Sequence, residues 1–145
     1  MKPEFVIGVF AVILDEQGRV LLGHRTDYDL WNLPGGTLEH GETPWDGLRR
    51  EVMEETGLEV EVLNLTGIYS KPDKNEVVLT FICKRTGGSF VDNEESDKID
   101  YFDINILPEN ISQKHVERIR DAIGYSDQPA LKIQTGRSTT KWVDK

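Results

Sequence analysis

Apolar and polar positions along the chain follow several patterns, and each predicts an element. Residues 5–14, FVIGVFAVIL, form an unbroken apolar run rich in β-branched and aromatic side chains, as expected of a central strand buried on both faces. A polar turn at 15–18 follows, and residues 19–25, RVLLGHR, read as a second strand joined antiparallel to the first by that short hairpin. From 44 to 56 the period becomes helical, with Trp45, Leu48 and Val52 on one stripe that is expected to face the core. Thr43 can cap this helix, Pro44 suits its first position, and Gly57 can close it in a left-handed conformation. Alternation over 60–69, VEVLNLTGIY, predicts a strand, and after a turn at 71–75 another runs over 77–85. Thr86-Gly87-Gly88-Ser89 breaks that strand, and an acidic loop, VDNEESDK, leads into a short strand in IDYFDI. Ser112 then caps a second helix reaching Ile123, with Val116, Ile119 and Ile123 as its apolar stripe and Gly124 as its stop. This helix is expected on the sheet face opposite the first.

The polar side of the first helix carries the chemistry. Glu51, Glu54 and Glu55 stand at i, i+3 and i+4, so three carboxylates are neighbours, with Arg50 beside them. Glu51 and Glu55 alone disfavour the helix by about 0.2–0.5 kcal/mol, and all three sit towards the negative end of its dipole. Gly47, inside the helix, costs about 0.8–1.0 kcal/mol against alanine and is expected to leave the carboxylate side open to approach. Just upstream, Pro34-Gly35-Gly36 permits close backbone approach, so a carbonyl can be aimed at the same point. Hard divalent cations prefer such carboxylate and carbonyl oxygens. The alternative is a solvated acidic face partly neutralised by Arg50.

Taken together, Gly36, Glu42, Arg50, Glu51, Val52, Glu54, Glu55, Gly57 and Leu58 fill every fixed position of the pattern G-x5-E-x7-R-E-U-x-E-E-x-G-U, where U is aliphatic. The stretch 36–58 thereby resembles the Nudix box. The resemblance extends over about 6–123 and implies an α/β fold, the Nudix α/β/α sandwich with a mixed sheet between helices. It implies hydrolysis of a diphosphate linkage by water attacking phosphorus, with Mg²⁺ or Mn²⁺ held by Glu51, Glu54 and Glu55 and by the Gly35 carbonyl. Arg50 would orient the glutamates, Glu42 would act from behind the direct ligands, and Gly36 and Gly57 would shape the loop and helix end. The general base would be Glu51, or an acidic residue of the loop before IDYFDI, Glu95 or Asp97. Many relatives carry a glutamate three residues after the Glu95 position, where this chain has Lys98. A sensor related to the family, without catalysis, would be expected to have lost a ligand glutamate, and none is lost.

Substrate recognition is expected from residues outside the box. Arg25 can meet a phosphate, and Tyr28, Trp31, Tyr69 and Lys71 can stack on a base or meet phosphate, although each also has a packing or surface reading. Pro72 lies where relatives acting on ADP-ribose often carry proline, which favours an ADP-ribose or nucleotide-sugar substrate, with a MutT-like nucleoside triphosphate as the alternative. A formal net charge of −9 argues against a nucleic-acid polymer or an anionic membrane as partner, leaving a nucleotide-derived small molecule. The apolar run at 5–14 is too short to span a bilayer, and Cys83 is the only cysteine, so a cytoplasmic setting without internal disulfides is expected. The 145 residues suit one domain over 1–124, followed by a polar segment, 125–145. That segment, with Trp142 and Val143, is either a tail or packs back on the domain or on a second subunit as a homodimer.

Overall fold

The computed structural model describes residues 2–91 and 96–136. In chain order its elements are β1 (Val6–Ile13), β2 (Val20–Arg25), β3 (Trp31–Asn32), β4 (Gly35–Thr37), α1 (Pro44–Thr56), β5 (Leu58–Lys71), β6 (Glu76–Gly88), β7 (Ser96–Phe102), α2 (Gln113–Ile123) and β8 (Ala130–Ile133). A single 3₁₀ turn, Pro72–Lys74, joins β5 to β6.

The apolar run at the start of the chain becomes a central strand covered on both faces over its second half, while Phe5 and Val6 at its start are exposed. Val9, Ala11 and Ile13 point into one core cluster with Leu48 and Val52 of α1; Val12 points into the other with Val116 and Ile119 of α2, and Phe10 packs against that second cluster. Side chains that alternate along one strand thus place the two helices on opposite faces, an α/β arrangement of a mixed sheet between helices. The sheet has five strands in the order β4-β1-β6-β5-β8, with β1 parallel to β6, β5 parallel to β8, and the other pairs antiparallel. The long β5 pairs with β6 through three register shifts, which bend it while keeping its apolar side inward.

The expected β1–β2 hairpin is not a paired ribbon. The turn forms, with the Asp15 N–H donating to the Arg19 carbonyl (2.9 Å) and Gly18 in the left-handed region, but only one bridge, Leu14 to Val20, follows before the strands part. β2 instead joins a second, three-stranded antiparallel sheet, β3-β2-β7. The reason is competition for hydrogen bonds. One edge of β1 is taken by β6, and the other by the glycine-rich stretch, where Ala11 donates to the Pro34 carbonyl (2.9 Å) and β4 pairs with Gly8 to Phe10.

Two positions of the expected helix stripes are also corrected. Trp45 is 49% exposed whereas Leu48 and Val52 are fully buried; Trp45 stands in the first turn, and angular position does not say how far along its axis a helix is covered. Ile123, in the last turn of α2, is 42% exposed, and Ala122 takes the inward place. Beyond α2 the chain returns to the domain. Residues 130–133 add β8 to the sheet, and Gln134 is buried where its side chain accepts from Arg118 Nε (3.1 Å) and Nη2 (2.9 Å). Trp142 and Val143 lie outside the described residues. No helix among the described residues is long and apolar enough to cross a membrane.

This packing predicts that Leu48→Ala lowers unfolding stability by about 2–5 kcal/mol, as expected for emptying a closed core site, while Trp45→Ala costs well under that. Denaturant unfolding measures both; equal losses would show that the first turn of α1 is covered after all.

Candidate active site

The helix α1 is fixed at both ends by the residues its sequence offers. Thr43 Oγ1 accepts from the Asp46 N–H (3.1 Å), and Pro44 fills the first turn without leaving an unpaired donor. At the other end Gly57 adopts φ +80° and donates to the Met53 carbonyl, while a Cβ there would meet the Ser89 carbonyl oxygen at 2.3 Å. Thr56 Oγ1 donates to the Val52 carbonyl (2.6 Å) and accepts from Leu58 N–H (3.1 Å), so the helix passes rigidly into β5.

Arg50 is the hub of the polar face. Its Nε and Nη2 meet both carboxylate oxygens of Glu42 at 2.7 and 2.9 Å, its Nη1 reaches Glu51 at 3.0 Å and Glu54 at 3.3 Å, and Nη2 also reaches the Thr37 carbonyl at 3.4 Å. A planar guanidinium can serve partners on several sides in this way; an ammonium cannot hold the same fork. The Arg50 guanidinium and the Glu39 N–H hold the Glu42 carboxyl down at about 2, and Arg50 in turn is pushed up by Glu42 first and Glu51 next.

The glycine stretch closes on this face. Gly35 lies at φ +154° with so little room that a Cβ would fall 2.1 Å from the Val9 carbonyl oxygen, and its N–H donates to Glu55 Oε2 at 3.2 Å. A Cβ on Gly36 would come within 2.6 Å of the Glu51 carboxyl carbon. Glu51 is therefore cradled in a space that any side chain at Gly36 would fill. Gly47 serves a different purpose from the one expected. It is buried, and a Cβ there would strike Leu38 at 2.3 Å and Glu42 Oε1 at 3.0 Å, so it lets the 38–42 loop lie on the helix instead of opening the face.

The three carboxylates share a face without converging. Glu51 and Glu54 lean on Arg50 and Glu55 on the Gly35 N–H, and among the described residues no three acidic, histidine or cysteine side chains gather closely enough to hold one ion. Their chemistry nonetheless fits a hard cation. The donors are carboxylate oxygens, one guanidinium faces Glu42, Glu51 and Glu54 together, and the last turn of the helix holds no basic residue.

Beside this face opens a cleft of about 560 Å³, lined among others by Phe10, Arg25, Asn32, Gly35, Gly36 and Glu55. Arg25 is thus placed in its wall, with its guanidinium bonded to Asp27 and set over the Tyr28 ring at 5.0 Å. Trp31 packs edge-on against His24 and Phe102 and does not line it. Tyr69 and Lys71, expected to meet substrate, are buried elsewhere. The Tyr69 hydroxyl donates to Asp121 Oδ2 at 2.7 Å under α2, and burial followed by that bond pushes its pKa up; Lys71 Nζ pairs with Glu76 at 3.1 Å. Glu95 lies outside the described residues. The lining also includes Phe10 and Asn32, which lie outside the candidates the sequence offers. Nothing in the apolar run marks Phe10, but a polar residue between Trp31 and Leu33 was a signal, and its Oδ1 is buried without a partner among protein atoms.

The pairing of Glu42 with Arg50 sets a measurable titration. A folded-state pKa held below its unfolded value gives stability that is present above about pH 4.5 and lost as the pH falls towards 2. A carbon-detected NMR titration should find Glu42 still ionised at about pH 3, and Glu42→Gln should lose stability at neutral pH but not in strong acid. A midpoint above about 4 would dissolve the clamp.

The family model described as the NUDIX domain matches residues 4–122. A MutT-like protein of Streptomyces ambofaciens is 39% identical over 121 residues, covering 83% of this chain and 79% of that protein. An ADP-ribose pyrophosphatase of Methanocaldococcus jannaschii is 33% identical over 116 residues, covering 75% of this chain and 68% of that protein. Among solved structures, a NUDIX hydrolase from Nitrosomonas europaea superposes with a TM-score of 0.80 at 25% identity, over 93% of this chain and 81% of that one.

Proposed function

This chain belongs to the Nudix family of hydrolases, and we propose that it cleaves the diphosphate linkage of a nucleoside diphosphate joined to another group, of the ADP-ribose or nucleotide-sugar type. The observation that carries this reading is that Glu55 belongs to two places at once. It stands on the glutamate face of α1, and it lines the cleft, bonded to the Gly35 N–H. A group seated in the cleft therefore lies against Glu55, at the edge of the glutamate face.

Nudix hydrolases generally use divalent metal ions. In this reading Glu51, Glu54 and Glu55 hold Mg²⁺ or Mn²⁺, with Gly35 as the backbone ligand; such an ion supplies charge neutralisation for the diphosphate and a more acidic bound water. The residues of the chain do the rest. Arg50 holds Glu51 and Glu54 side by side and oriented through bonds of 3.0 and 3.3 Å from one nitrogen, Nη1, and Glu42, clamped behind it, stops the guanidinium from swinging away. Glu51, 14% exposed beside Gly36, is the candidate base that takes the proton of the attacking water. Arg25, at the cleft wall, is placed to exchange Asp27 for a substrate phosphate oxygen. The ADP-ribose reading leans on the Methanocaldococcus relative and on Pro72; a MutT-like nucleoside triphosphate reaction, the second reading, leans on the Streptomyces relative.

Turnover of ADP-ribose, nucleotide sugars and nucleoside triphosphates, measured with Mg²⁺, Mn²⁺ and chelator, tests this directly. The expected result is one preferred diphosphate substrate and loss of turnover on chelation. Glu54→Gln, at a side chain 50% exposed, should lower kcat by about two orders of magnitude with an unchanged unfolding curve. Equal activity of variant and wild type would remove Glu54 from the metal site.

A further inference from the structure

Leu33 stands where the chain leaves one sheet for the other: Asn32 pairs with Gly23 in β2, and Gly35 pairs with Phe10 in β1. At this crossing three successive residues are bonded to three different elements. The Leu33 N–H donates to Nδ1 of His115 in α2 at 3.0 Å, the Pro34 carbonyl accepts from Ala11 in β1 at 2.9 Å, and the Gly35 N–H donates to Glu55 in α1 at 3.2 Å. His115 is buried, with Phe10 edge-on at a ring separation of 5.0 Å.

A buried N–H left without an acceptor is costly, so the bond to His115 determines where Leu33 can rest. The next two residues cannot absorb a shift. Proline has a fixed φ and Gly35 is packed against the Val9 carbonyl, so a displacement of Leu33 is carried to the Gly35 N–H and to Glu55. Burial, reinforced by the positive charges of Arg118, Lys71, Arg25 and Lys114, holds the imidazole pKa well below its usual value and keeps the ring neutral, so Nδ1 retains its lone pair and the proton stays on Nε2.

We propose that His115 is a positioning residue: from the far helix, through Leu33 and Pro34, it sets the height of Gly35 against Glu55 and thereby the affinity of the glutamate face for a divalent cation. This rests on the metal reading of Glu51, Glu54 and Glu55 given above.

The test is Mn²⁺ binding, by electron paramagnetic resonance on the full chain, in wild type, His115→Phe and His115→Asn. Phenylalanine keeps a ring against Phe10 but offers no acceptor; asparagine places a carbonyl oxygen near the position of Nδ1. His115→Phe should bind Mn²⁺ about tenfold more weakly, with kcat falling more than KM rises, and His115→Asn should recover most of that loss. A folded His115→Phe with wild-type affinity, or an asparagine variant as impaired as phenylalanine, would overturn the proposal. Wild-type protein that binds no Mn²⁺ would instead overturn the metal reading itself. Mg²⁺ titration of ¹⁵N-labelled wild type gives an arm free of mutation: His115 Nδ1 and the Leu33 and Gly35 amides should shift together, and Gly35 moving alone would break the relay.

Discussion

A single guanidinium, that of Arg50, makes the glutamate face possible. Without it Glu42, Glu51 and Glu54 would repel one another across one turn of helix and an adjoining loop. With it the 38–42 loop, α1 and the Thr37 carbonyl at the end of β4 are tied to one point. The bidentate bond to Glu42 is the strong one, and it fixes the plane of the guanidinium so that the remaining donors aim at the other two carboxylates. Four carboxylates, those of Glu39, Glu42, Glu51 and Glu54, against one cation leave the face negative. That imbalance costs helix stability and is what a divalent cation would relieve.

The rest of the fold is arranged to hold that face against the cleft, and β1 does most of the holding. Val9, Ala11 and Ile13 meet α1 while Phe10 and Val12 meet α2, so both helices are referred to the same strand. Its edge carries Gly35 and Gly36, and Val9 leaves no room for a side chain at Gly35. The cleft wall is completed by β2 and β3 from the other sheet, which is why the parting of β1 from β2 matters. A fully paired hairpin would have taken the edge that the glycine stretch uses.

Tyr69 and Lys71 illustrate how a polar side chain in a strand changes meaning with what covers it. Behind β5, Tyr69, Asp121, Lys132, Glu117, Gln134 and Arg118 form a continuous polar network that fastens β8 and α2 to the sheet. Arg118 is buried in it between Phe10 and Tyr69, with bonds to Gln134 in place of water. Tyr69 is thereby part of the scaffold. Buried polar groups of this kind are tolerated because each finds a partner.

What the sequence by itself determined is everything with a local cause. The caps of α1, the left-handed Gly57, the adjacency of Glu51, Glu54 and Glu55 with Arg50, and the burial of Val9, Ala11, Val12 and Ile13 all follow from spacing within a few residues. The tertiary structure alone decided which strands pair, that Gly47 seats a loop, that Trp45 and Ile123 lie outside the core, and that residues 130–134 close the sheet over Tyr69. Those outcomes depend on groups far apart in the chain competing for the same edge or the same face, as His115 does in reaching Leu33 across 82 positions. Periodicity shows which sides of an element are apolar; only the partners that arrive from elsewhere settle how much of each side is covered.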